Sequence, residues 1–218
     1  MIIYNPRSQR LLEKRVKVVE DMFSQTGVPH CFVSGSFLYK EKYGDIDIFV
    51  VSRTKKKITF DNSKVNLTVI DFNDLSSLFY YSVSKSCIAK NILPKHTLKV
   101  TLSDYWHVIN EAIPTIFNQK DMYHKDIRFL ILYTEYFKTG NVLDTFELTQ
   151  KIDSFQGYVD VLNYVRCEVP FIFAKGAKIS YLKRFFYTQA GFYKDMRDYK
   201  AQDFLYTLTH EIVLGREV

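Results

Sequence analysis

The period of the apolar positions changes twice along the chain. In residues 8–25, Leu12, Val16, Val19 and Phe23 recur at spacings of four, three and four, while Arg10, Lys14, Lys17 and Asp21 fall on other faces. That pattern predicts an amphipathic helix, which Thr26-Gly27 ends. Short apolar runs follow near 30–34, 45–52, 57–61 and 64–71, with 78–90 and 96–102 as further candidates, and runs of this length read as strands. From Leu102-Ser103-Asp104 onward the period becomes helical. Ser103 or Asp104 is the expected cap, and apolar stripes run through 105–117, 127–137 and 158–165. Pro114, Thr139-Gly140-Asn141, Gly157, Pro170, Gly176 and Gly191 are the expected breaks between those helices. The fold class expected is α+β. A small mixed β-sheet with an N-terminal helix occupies 1–103, followed by an all-helical region over 104–218.

Composition narrows the function classes. A chain of 218 residues with 47% hydrophobic content can bury a sizeable core, as one domain or two. Cys31, Cys87 and Cys167 are scattered, and the histidines are dispersed, so neither a disulfide framework nor a Cys/His zinc signature is present. No Gly-x-Ser-x-Gly elbow appears. The apolar stretches are strand-sized, and Met1-Ile-Ile-Tyr-Asn-Pro-Arg7 lacks the order of a signal peptide, so no membrane association and a cytoplasmic location are expected.

The net charge of +6 and pI near 9.0 suggest an anionic partner. Two basic clusters carry that charge. One is Arg53-Thr-Lys-Lys-Lys57; the other runs from Lys175 to Lys200 and interleaves Lys183, Arg184 and Lys194 with Tyr181, Phe185 and Phe192. Such mixtures hold single-stranded nucleic acid by phosphate neutralisation and stacking, and they also describe a solvated turn and the wet side of amphipathic helices.

The candidate chemistry lies in Phe32-Val-Ser-Gly-Ser-Phe-Leu-Tyr-Lys-Glu-Lys-Tyr-Gly-Asp-Ile-Asp-Ile-Phe-Val-Val51. Residues at i and i+2 of a strand face the same way, so Asp45 and Asp47 project together while Ile46 and Ile48 fill the sheet. Adjacent carboxylates repel, and a hard divalent cation such as Mg²⁺ relieves that repulsion. Upstream, Gly35-Ser36 follows a buried strand and opens a short helix at 37–40. Glycine admits close approach of a ligand, and amides at a helix start suit phosphates. The bland reading is a simple Gly-Ser turn and a solvated strand entrance.

Gly35-Ser36 followed by Asp45-Ile46-Asp47 resembles the signature of the nucleotidyltransferase superfamily typified by DNA polymerase β: an apolar strand, Gly-Ser, a short helix, then Asp-apolar-Asp. The resemblance implies transfer of a nucleoside monophosphate from an NTP to a hydroxyl acceptor, which is RNA, a protein side chain or a small molecule. It also implies Asp45 and Asp47 as ligands of Mg²⁺ or Mn²⁺, and Gly35, Ser36, Lys40 and Lys42 as the triphosphate side. Relatives carry a third carboxylate on a following strand, and here Asp71 is the candidate, because the in-strand polar residue is Asn66. A viral and phage-like branch places an acid near Phe79-Tyr80-Tyr81, where this chain has none, and has a segment similar to Glu135-Tyr136-Phe137-Lys138-Thr139-Gly140 after an arginine, here Arg128. Locally, Gly140 reads equally as a helix C-cap. The rival expectation is a degenerate fold of the same type that binds nucleotide or nucleic acid without chemistry; a toxin-like or antitoxin-like module remains a third.

Overall fold

Helix α1 (Gln9–Thr26) forms where the four-three-four apolar spacing places it, burying Leu12, Val19, Met22 and Phe23 on one side. Gly27 ends it in the left-handed region at φ +60°, where a side chain is disfavoured. The computed structural model describes residues 1–53, 58–60, 62–94, 97–118, 121–176 and 197–214. Two units divide the chain: Met1–Lys99 with Val142–Thr149, and Val100–Asn141 with Gln150–Val218. The break at Lys99 lies close to the expected one. The assignment of Val142–Thr149 to the first unit was not visible in the sequence.

The first unit is built on one sheet of β1 (Ile2–Tyr4), β2 (Cys31–Ser34), β3 (Ile46–Val51), β4 (Val65–Ile70) and β5 (Cys87–Ala89), in the order β1-β5-β2-β3-β4. The β3–β4 pair is parallel and the other pairs are antiparallel, so the sheet is mixed as expected. Alternation along β3 sends Ile46, Ile48 and Val50 into a core with Leu12, Val19 and Phe23 of α1. It sends Phe49 and Val51 into a second core with Phe32, Ile70, Leu75 and Val83. Phe32 and Phe49 stack there at 4.9 Å between ring centroids. Full burial of a side chain of this size contributes about 1.5–3 kcal/mol, so both faces of the sheet are anchored.

Several expectations are corrected. Residues 78–90 are not a strand: α2 (Leu78–Lys85) precedes β5 there. The aromatic run favours a strand on propensity, but Ser77 caps the helix, its hydroxyl accepting from Tyr80 N at 3.4 Å, and α2 buries Leu78 and Val83. Of the expected strand 57–61, residues 58–60 carry no strand and 57 and 61 lie outside the described residues. Of 96–102, residue 96 lies outside them, 97–101 carry no strand and Leu102 opens a helix.

The later elements are helical among the described residues: α3 (Leu102–Asn118), α4 (Lys125–Thr139), α5 (Thr145–Asp153), α6 (Tyr158–Gly176) and α7 (Tyr199–Leu214). Thr101, not Ser103 or Asp104, caps α3. Its hydroxyl accepts from Asp104 N at 3.2 Å while Thr101 N donates to the Asp104 carboxylate at 2.8 Å, a reciprocal capping box. Pro114 and Pro170 break nothing: each lies inside its helix, where flanking Ile113, Ile116, Val169 and Ile172 are buried and hold it in register. Gly140 caps α4 at φ +76°, its N–H on Tyr136 O at 2.8 Å. Tyr105 stacks on Phe137 and Phe173 at the centre of this unit and shares a 2.7 Å hydrogen bond with Thr134. No helix among the described residues is long and apolar enough to cross a membrane.

Val142–Thr149 is fastened to the first unit by charge. The Asp144 carboxylate is fully buried, accepts from Asn5 Nδ2 at 3.0 Å and Arg7 Nε at 2.8 Å, and caps α5 through Phe146 N and Glu147 N, both at 2.9 Å. Glu147 returns a bond to Asp144 N at 2.9 Å and pairs with Arg7 and Lys85. Burial opposes its ionisation, but those donors outweigh burial and hold its carboxyl below the usual range.

Candidate metal and nucleotide site

The end of β2 delivers the chain into Gly35, whose φ of +87° and ψ of −169° suit glycine alone. A Cβ there would lie 2.9 Å from Asp47 Oδ2, so the missing side chain also leaves room for that carboxylate. The contact follows from register: Ser34, just before Gly35, is the antiparallel partner of Asp47. The signature residues separated in sequence therefore meet across two adjacent strands.

Beyond Gly35 the expected helical turns reduce to one 3-10 turn, Ser36–Leu38, with Leu38 N on Gly35 O at 3.0 Å and Lys40 N on Ser36 O at 2.8 Å. Phe37 and Leu38 are buried and pull this turn onto the core, leaving Ser36 half-buried and Lys40 and Lys42 exposed. Glu41 between the lysines pairs with Arg10 of α1. Asp45 is exposed just ahead of β3, two residues before Asp47.

Asn66 lies beside Asp47 as its partner in the parallel β3–β4 register, and its Nδ2 donates to Asp47 Oδ1 at 2.9 Å. Asp71 is not brought to this pair. It follows Ile70 at the far end of β4, where Oδ1 accepts from Asn73 N at 2.9 Å and N–H donates to Asp74 at 2.7 Å, closing a turn. Tyr80, the other candidate position, is on α2 with its ring edge on Phe49 at 6.0 Å. The neighbour of the aspartate pair is thus an amide.

Arg53 follows the end of β3 opposite to Asp45, and 54–57 lie outside the described residues, as do 177–196, which hold most of the second basic and aromatic cluster. Among the described residues no group of three or more His, Cys, Asp or Glu is arranged as a metal cage. Two carboxylates two residues apart, with Asp47 against the Gly35 turn, still suit a hard, oxygen-seeking cation.

Two residues that contact this turn were missed in the sequence. The Tyr39 hydroxyl donates to Thr145 O at 3.2 Å and shares a 3.1 Å hydrogen bond with Thr149. Nothing local signals that partner. Arg15 is buried in α1 and donates through Nη2 to Lys40 O at 2.8 Å and to Glu41 O at 3.3 Å. Its signal was present: it falls three residues after Leu12 and four before Val19, inside the apolar stripe. No family model, curated protein or solved structure matches the chain in the three comparisons made.

Proposed function

We propose that this protein is a metal-dependent nucleotidyltransferase of the polymerase-β-like superfamily. It attaches a nucleoside monophosphate from an NTP to a hydroxyl acceptor: a bond forms between the acceptor oxygen and the α-phosphorus, the hydroxyl proton passes to solvent, the α–β anhydride breaks, and pyrophosphate leaves. The observation that carries this reading is the meeting of the Gly35 turn with Asp47 across β2 and β3. Gly35 and Ser36 offer backbone amides and a hydroxyl to the triphosphate, and Lys40 and Lys42 offset its charge. Asp45 and Asp47 are the residues that would hold Mg²⁺ or Mn²⁺. When bound, such an ion polarises the phosphoryl group. Asn66 orients Asp47 and, as an amide, accepts no proton. The basic net charge favours RNA among the acceptors, with a protein side chain or a small molecule as the others. The buried free thiols of Cys31 and Cys87 fit a reducing, cytoplasmic setting.

The second reading, a fold of the same type that binds nucleotide or nucleic acid without chemistry, is favoured by one observation: the residue beside Asp47 is Asn66 and not an acid. The test is incubation with each α-labelled NTP and Mg²⁺ or Mn²⁺, with and without total RNA, comparing the parent with Asp45→Ala/Asp47→Ala. Label moved by the parent alone establishes transfer and identifies donor and acceptor class. No transfer, with RNA retained equally by both proteins, leaves the binding module.

A further inference from the structure

Among the described residues Arg15 is the one buried lysine or arginine, 8% exposed. Its Cζ lies 4.7 Å from the ring centroid of Phe37 and 5.0 Å from that of Tyr43, two rings that meet edge to face at 4.9 Å. Nη2 bridges the Lys40 and Glu41 carbonyls, while the buried Nη1 has no hydrogen-bond partner, and no carboxylate among the described residues pairs with the guanidinium. A buried cation without an anion is costly unless dipoles and ring faces replace water. Every group that replaces it here belongs to the stretch between Gly35 and Asp45: Phe37 at its start, the two carbonyls at its middle, Tyr43 at its end. Arg15 therefore fixes the path of this stretch at three points. A guanidinium suits this task, because its planar fork reaches two acceptors while its faces stack on rings, and an ammonium cannot do both.

We infer that Arg15 is a positioning residue for the donor nucleotide: it holds the turn from Ser36 to Gly44 so that Ser36, Lys40 and Lys42 face the triphosphate together. The inference rests on the nucleotidyltransferase reading above. Losing a fixed geometry at the phosphate side weakens donor binding and leaves Asp47 in place on β3, so the effect falls on KM more than on kcat.

The experiment measures equilibrium binding of each Mg²⁺–NTP and of Mg²⁺–tripolyphosphate to the full chain, with Arg15→Met, Arg15→Lys and, as a control for charge alone, the exposed Lys17→Met. Circular dichroism and thermal melting accompany each variant. Expected are affinities lowered on the order of tenfold for Arg15→Met, a smaller loss for Arg15→Lys, the same loss for all four NTPs and for tripolyphosphate, and parental binding for Lys17→Met. Where the parent turns over, KM rises and kcat is largely kept. If the parent binds and folded Arg15→Met binds equally, the inference fails and the proposed function stands. If Arg15→Met does not fold, Arg15→Lys decides in the same way, parental affinity overturning the inference. If the parent itself binds neither NTP nor tripolyphosphate, the enzyme reading and this inference fall together, a result that needs no variant.

Discussion

Asn66 donates its side-chain amide to Asp47 Oδ1 at 2.9 Å across the parallel β3–β4 pair. One oxygen of the aspartate at the centre of the candidate site is thereby already engaged by a neutral group, in an arrangement an acid could not reproduce without a cation. Asn66→Asp replaces that donor with a second negative charge at hydrogen-bond range. In the absence of divalent ions the variant is expected to be less stable than the parent by about 1 kcal/mol, since the position is open to solvent and repulsion is screened. Millimolar Mg²⁺ or Mn²⁺ is expected to recover that loss. Thermal melting with and without the metal checks it: a larger metal-induced rise in Asn66→Asp than in the parent is the predicted outcome, and equal rises would show that this pair does not share a cation.

Gly35→Ala combines two penalties. The backbone sits at φ +87°, and the new Cβ would come within 2.9 Å of Asp47 Oδ2. The strained conformation alone costs on the order of 1–3 kcal/mol, and relief of the clash requires the Asp47 carboxylate to shift. The substitution is expected to lower the melting temperature and to abolish Mg²⁺-dependent NTP binding in the fraction that remains folded. Gly44→Ala, with nothing within 4 Å of the added atom, serves as the comparison and is expected to be close to neutral.

Much of this was legible because it is local. The stripe through Leu12, Val16, Val19 and Phe23 and the stop at Gly27 define α1 without reference to the rest of the molecule, and the alternation around Asp45-Ile46-Asp47 sets which side chains face the core. What failed was non-local. The aromatic run after Leu78 carries strand propensity, yet a cap at Ser77 and burial of Leu78 and Val83 decide for helix. That Asn66, and not Asp71, adjoins Asp47 depends on the β3–β4 register, which no short motif encodes. Arg15 stands inside the apolar stripe of α1, but its partners Lys40, Glu41, Phe37 and Tyr43 are 22 or more residues away and no local pattern names them.

Asp144→Ala should be among the most damaging single changes in the first unit. The carboxylate is fully buried, and its removal leaves Arg7 and Asn5 short of a partner and uncaps α5. Breaking a buried pair from one side costs about 3–5 kcal/mol, and loss of an N-cap roughly 1 kcal/mol more. Asp144→Asn keeps a capping oxygen and loses only the charge, so it is expected to cost less. Urea unfolding of both variants against the parent checks the order; equal costs would mean that the ion pair and not the cap fastens Val142–Thr149.

Glu135 should give the second unit an acid-sensitive limb. Its side chain is 12% exposed and accepts from Lys151 Nζ at 2.8 Å and from the Tyr164 hydroxyl at 2.6 Å. Burial opposes ionisation, but those two donors, with Lys138 nearby, outweigh it and hold the carboxyl below the ordinary value of 4.5. Burial, together with the same contact, pushes the Tyr164 hydroxyl up. A group whose folded value is depressed binds its proton more readily when unfolded, so its stabilisation is fully present above the unfolded value and is lost as pH falls through the folded one. Stability measured by chemical denaturation is therefore expected to be level with respect to Glu135 above about pH 5 and to decline as the solution is acidified below the ordinary glutamate range. Glu135→Gln removes that titration: it is expected to lower stability at neutral pH, where Lys151 loses its counter-charge, and to make the acid decline shallower. Parallel acid limbs in the parent and Glu135→Gln would show that this carboxylate keeps an ordinary affinity for its proton.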